Sequence, residues 1–150
     1  VLDIGKGFLA ASVPFFLSSL YLGFKDEVLI LQLMASFFAI LGHVFPILAN
    51  FRGGKGVATT LGIILSINLD TALICLGIFL IVFLLSKFVS LGAIVAAVFF
   101  PVVSFFVMKE DARIMIVFSI LISLIVIFSH KKNIGRLLRG EENKMNFLGR

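Results

Sequence analysis

The segment Asn50-Phe51-Arg52-Gly53-Gly54-Lys55-Gly56-Val57 holds the densest usable chemistry in the chain. Three glycines around one lysine let the backbone turn tightly and aim successive N–H groups at one point. A helix starting near Val57 adds the positive end of its dipole, and Arg52 and Lys55 add full charges. Amides from Gly53, Gly54 and Gly56 with two cations suit a phosphate dianion. A nucleotide P-loop is excluded. It needs a glycine five positions before its Gly-Lys pair and Ser or Thr after the lysine. Ala49 and Gly56 stand at those positions here. The plainer alternative is a flexible loop with ordinary cytoplasmic charges, and His43, Pro46 and Arg52 nearby weigh against it. His43 lies in an apolar run, where an ionisable group is costly unless it faces the bundle interior or a wet cavity. A structural and a catalytic role both fit it.

The second cluster is His130-Lys131-Lys132-Asn133-Ile134-Gly135-Arg136-Leu137-Leu138-Arg139-Gly140-Glu141-Glu142. Ile134, Leu137 and Leu138 share one helical face flanked by Arg136 and Arg139, the pattern of an interfacial amphipathic helix. His130 and Asn133, three apart, share a face at a depth that would meet the glycine-rich loop.

These groups stand out because the rest of the chain is greasy. Of 150 residues, 61% are apolar and 14% charged, and the mean hydropathy is +1.20. Soluble domains run to about 45–50% apolar and about 25% charged. A membrane is the class that fits, and the expected fold is all-α: a polytopic helical bundle forming one domain over residues 1–150. Spans are predicted at Gly7–Phe24, Val28–Ala49, Thr71–Ser86, Phe88–Met108 and Ala112–Ser129. The apolar segment Val57–Ile67 is too short to cross fully. It either crosses obliquely or forms a re-entrant hairpin with the next segment.

Ten of the 13 Lys and Arg residues then fall on the side holding Lys6, Lys55, Lys87 and the tail. By the positive-inside rule that side is cytoplasmic. A pI near 9.7 therefore reflects membrane orientation, not nucleic-acid binding. Cys75, the single cysteine, reads as a small buried or lipid-facing residue. Two histidines 87 positions apart give no metal-ligand spacing. No metal and no cofactor is expected.

Taken together, the motifs resemble the bacterial acyl-phosphate:glycerol-3-phosphate acyltransferase family (PlsY type). The resemblance rests on Leu2-Asp3 with Lys6-Gly7, on Gly42-His43-Val44-Phe45-Pro46 with Gly53-Gly54-Lys55-Gly56-Val57-Ala58-Thr59, and on the His130 to Glu142 stretch. It implies a bacterial cell-membrane enzyme that moves a fatty acyl group from acyl phosphate to the 1-hydroxyl of glycerol 3-phosphate, giving lysophosphatidic acid and phosphate. It implies catalytic roles for Lys55, His130 and Asn133. It implies substrate contacts from His43, Arg52, Gly53, Gly54, Gly56, Ser90 and Arg136. Either His130 or the substrate's own phosphate then deprotonates the attacking hydroxyl. The family has an earlier span and a Ser/Gly/Asn-rich motif ending in arginine, both expected ahead of Val1. It also often shows Ser-Leu-Gly-Ser where this chain has Ser90-Leu91-Gly92-Ala93. A phosphate or organophosphate transporter is the competing reading, although one interrupted helix without a counterpart is not the paired pattern of transporters. An inert assembly subunit is the third.

Overall fold

The computed structural model describes residues 2–20, 27–47, 53–107 and 112–145. Seven helices are formed among them: α1 (Leu2–Leu20), α2 (Val28–Val44), α3 (Val57–Ile67), α4 (Leu69–Ser86), α5 (Val89–Val107), α6 (Ala112–Ser129) and α7 (Lys131–Leu138). No strand occurs among the described residues.

Local chemistry explains several boundaries. α1 begins earlier than hydropathy alone predicts, because Asp3 and Lys6 pair at 2.9 Å across its first turn and an acidic residue there suits the dipole. α2 stops at Val44, short of the predicted Ala49. The residue before Pro46 is pushed out of the helical region, and Phe45 adopts φ −121°, ψ 61°. α3 starts from Gly56 at φ 79°, a left-handed conformation that favours glycine. Asn68 separates α3 from α4, its side-chain oxygen accepting the Thr71 N–H at 2.8 Å. α6 and α7 meet at His130 with a bend of 61°.

The helices close a ring in the order α1, α3, α4, α5, α6, α2 and back to α1. Its tightest joint is α1 on α3. A methyl at Gly7 would overlap the Thr59 carbonyl, and one at Gly62 would overlap that of Ile4. The two backbones touch there, and Ser12 and Ser66 hydroxyls share a hydrogen bond of 2.8 Å. Gln32 of α2 donates to the Ala11 carbonyl at 2.8 Å, and Ser123 of α6 donates to that of Ala97.

Polar side chains such as Gln32, Ser36, Thr59 and Ser104 are buried, while Phe16, Phe38, Leu85 and Phe106 face outward. This inside-out distribution is what a bilayer selects. α4 and α5 are each long and apolar enough to cross a membrane, and α6 with α7 makes a third such unit if the bent pair counts as one. α2 and α3 are shorter apolar helices. At 11 residues α3 reaches only about 16 Å, half the hydrocarbon thickness. Since the Lys55 charge acts on His130, and Ser90 shares one Glu142 oxygen with Asn133, a turn beyond His130, α3 and α4 together leave one end of the bundle and return to it. The expected all-helical membrane bundle, with its short helix after the glycine-rich loop and its basic C-terminal helix, is the observed architecture.

Candidate active site

The glycine-rich loop is held by the end of α2. Gly54 N–H donates to the His43 carbonyl at 3.1 Å. A methyl on Gly53 would strike the carbonyls of His43 and Val44, and one on Gly54 would strike the His43 ring. The loop therefore lies flat on the helix end, which only residues without a side chain permit. Beyond Gly56, the first amides of α3 have no carbonyl a turn behind them. The first such bond runs from Thr60 N–H to the Gly56 carbonyl at 2.8 Å. Free N–H groups and the dipole end thus sit beside Lys55.

His43 faces the bundle interior, its side chain 13% exposed. Lys6 Nζ lies 2.6 Å from its Nδ1, and Asp3 accepts from the same ammonium at 2.9 Å. An ammonium only donates, so Nδ1 accepts and the neutral ring carries its proton on Nε2, beside the loop.

His130 caps α7 at the bend and is 1% exposed. Its Nδ1 donates to the Val126 carbonyl at 2.8 Å, which leaves Nε2 as a bare lone pair. Burial pushes the pKa of His130 down and the Lys55 charge pushes the same way. The Val126 hydrogen bond and Glu142 oppose them without reversing the shift. The imidazole is neutral at pH 7.

Asn133, 4% exposed, donates to Glu142 Oε1 at 2.6 Å. Ser90 donates to the same oxygen at 2.7 Å, and Arg136 Nε donates to Oε2 at 2.6 Å. One carboxylate, 7% exposed, thus ties the start of α5 to α7 and the tail. Burial alone would raise the Glu142 pKa, but these three donors outweigh it and bring it down to about 2. The tail is pinned further by Met145 N–H on the Lys87 carbonyl at 2.9 Å and by Lys144 over the Phe88 ring.

These pieces converge on a cavity of about 550 Å³. His43, Gly54, Lys55, Gly56, Ser90, His130 and Asn133, all named by sequence reasoning, line it together. Gly53 and Arg136 do not line it: one backs the loop and the other holds Glu142. Arg52 lies outside the described residues. Sequence reasoning missed Glu142 and Asp3 as lining groups, and it missed the apolar depth formed by Ile64, Phe79, Ala97 and Phe100. The adjacent acids after Gly140 were the available signal for Glu142. A mouth that offers the Lys55 ammonium and free helix amides, its two carboxylates being paired with Lys6 and Arg136, over an apolar interior can hold a phosphorylated head and a hydrocarbon tail at once.

Comparison with known proteins agrees with that chemistry. A family model described as glycerol-3-phosphate acyltransferase matches residues 1–140. A glycerol-3-phosphate acyltransferase of Prochlorococcus marinus (strain MIT 9215) is 40% identical over 146 residues, covering 97% of this chain and 70% of that protein. Those of Fusobacterium nucleatum and Staphylococcus aureus (strain Newman) are each 40% identical over 147 residues, covering 98% of this chain and 71% of theirs. Among solved structures, the glycerol 3-phosphate form of PlsY, an integral membrane glycerol 3-phosphate acyltransferase, superimposes with a TM-score of 0.75 at 32% identity. It covers 97% of this chain and 68% of that one. The lysophosphatidic acid form of PlsY gives the same TM-score and identity.

Proposed function

Because the chain belongs to the glycerol-3-phosphate acyltransferase family, we propose that it transfers a fatty acyl group from acyl phosphate to the 1-hydroxyl of glycerol 3-phosphate. The products are lysophosphatidic acid and inorganic phosphate. The reaction takes place at the cytoplasmic face of the bacterial cell membrane, where most of the Lys and Arg residues gather. One observation carries the reading: Lys55, His130, Asn133 and the start of α3 ring the mouth of a cavity whose depth is apolar.

An acyl phosphate is already a mixed anhydride, so no acyl-enzyme is required. The hydroxyl oxygen bonds to the acyl carbon, the bond from that carbon to the phosphate oxygen breaks, and the hydroxyl proton passes to a base. The protein's task is to hold two anions together despite their repulsion. Lys55 and the amides of Gly56 and Val57 neutralise phosphoryl oxygens, the Gly54 N–H being spent on the His43 carbonyl. The bare Nε2 of neutral His130 accepts a hydrogen bond, so it suits the attacking hydroxyl and not a deprotonated phosphate. Asn133, its amide held by Glu142, orients a substrate oxygen. The acyl chain lies in the apolar depth.

The substrate's own phosphate is the alternative base, and replacing His130 separates the two. Family membership supports catalysis over the transporter reading. The deciding assay follows labelled glycerol 3-phosphate in membranes containing the protein and palmitoyl phosphate. Lysophosphatidate should form, and Lys55→Ala should lower kcat/KM by roughly a hundredfold or more. A folded protein that carries glycerol 3-phosphate across proteoliposomes without forming product would overturn the reading.

A further inference from the structure

The apolar walls of the cavity fall in register along three helices. On α5, Ser90, Ala93, Ala97 and Phe100 recur at three- and four-residue steps, the spacing of one helix face. Ser90 sits at the polar mouth, bonded to Glu142. Phe100 is 2% exposed. The ten residue steps from one to the other span about 15 Å. Opposite Phe100, the lining ends at Ile64 on α3 and Cys75 on α4, 4% and 7% exposed. The next buried residues of α5, Val103 and Ser104, do not line the cavity; Val103 belongs to the packed core that also holds Met115 and Phe118. The cavity is closed at that level.

We propose that Phe100 is the floor of the acyl-chain pocket and sets the chain length at which the donor is used best. The proposal rests on the acyltransferase reading and adds the selectivity of its lipid substrate. The ammonium of Lys55 and the amides of α3 fix the phosphate at the mouth, so the chain is measured from a set point. With C–C bonds of about 1.5 Å, an extended chain advances about 1.3 Å per carbon. A depth of about 15 Å therefore holds roughly a dozen carbons before the Phe100 ring, and longer chains must bend or leave between helices. Ala93 and Ala97 give the shaft its width, since a bulkier residue at either position fills space that the chain would use.

The test measures kcat/KM for a ladder of saturated acyl phosphates, two carbons apart, with the wild-type protein and with Phe100→Ala and Ala97→Leu. Each methylene that gains a buried site is worth about fourfold. Phe100→Ala should move the optimum at least one rung longer, improving that rung relative to the wild-type optimum by about fifteenfold. Ala97→Leu should move it shorter by a similar factor. KM for glycerol 3-phosphate, which binds at the mouth, should stay within twofold in both. If Phe100→Ala does not fold, Ala97→Leu decides alone. An unshifted profile, or one that falls by the same factor at every length, overturns the floor while leaving the acyltransferase intact. A wild-type protein inactive with every donor removes both.

Discussion

The substitution Gly54→Ala tests the whole mouth of the site. A methyl at Gly54 would lie 2.7 Å from His43 Cε1 and nearer still to Nε2. Carbon atoms in contact rest at about 3.5–4.0 Å, so something must retreat by about 1 Å or more. The ring is not a loose end, because its Nδ1 is held by Lys6 at 2.6 Å. The loop therefore moves, carrying Lys55 with it. A displacement of about 1 Å costs on the order of a hundredfold in rate. Steady-state kinetics in glycerol 3-phosphate and acyl phosphate should show that loss in kcat/KM with the protein still folded. His43→Ala creates the missing space, so the double variant should be less impaired than the product of the two single effects. Strict multiplicativity, or an unimpaired Gly54→Ala, would refute the argument that the ring and the loop compete for one volume.

Glu142→Gln keeps the shape of the side chain but presents an N–H₂ group to at least one donor. With Arg136 38% exposed, the loss is about 1–2 kcal/mol, and amide exchange over residues 136–145 should quicken roughly tenfold. Because the folded pKa of Glu142 is lowered from 4.5 to about 2, its stabilising effect is full above pH 4.5 and fades as pH falls toward 2. That acid-dependent loosening should be absent in Glu142→Gln. For His130 the folded pKa lies below its ordinary 6.5, so the neutral, proton-accepting ring persists to lower pH. The acid limb of kcat/KM, which reports the free enzyme, should accordingly lie below pH 6.5. His130→Gln should abolish that limb and lower kcat by about a hundredfold or more, whereas a phosphate base predicts an unchanged limb. Gly7→Leu should destabilise the protein by at least about 1–3 kcal/mol, read as earlier thermal unfolding in detergent.

The parts of the site that sequence reasoning found are those that contrast with their surroundings. Gly54, Lys55 and Gly56 interrupt an apolar chain, as do His130 and Asn133, and polar groups in grease are conspicuous. The helices were legible for the same reason, by hydropathy, although Pro46 trimmed α2 and the Asp3–Lys6 pair lengthened α1. Groups whose meaning depends on distant partners were not legible. Glu142 becomes a hub only because Ser90, Asn133 and Arg136 come to it from separate stretches of chain. Ala93, Ala96 and Ala97 carry no signature of their own in an apolar run and matter only because they line the same cavity as residues of α3 and α4. The Lys6–His43 contact links positions 37 apart and has no local signature.

The bare backbone contact between α1 and α3 also governs how genetic damage to this protein is read. With Gly7 against Thr59 and Gly62 against Ile4, no cushion of side chains absorbs an error between the two rods. An added methyl at position 62 pushes α3 bodily, and the loop at its head travels along. Such a lesion would surface in an assay as lost affinity for a phosphorylated substrate, although the altered residue lies more than a turn from the Val57 amide at the helix start.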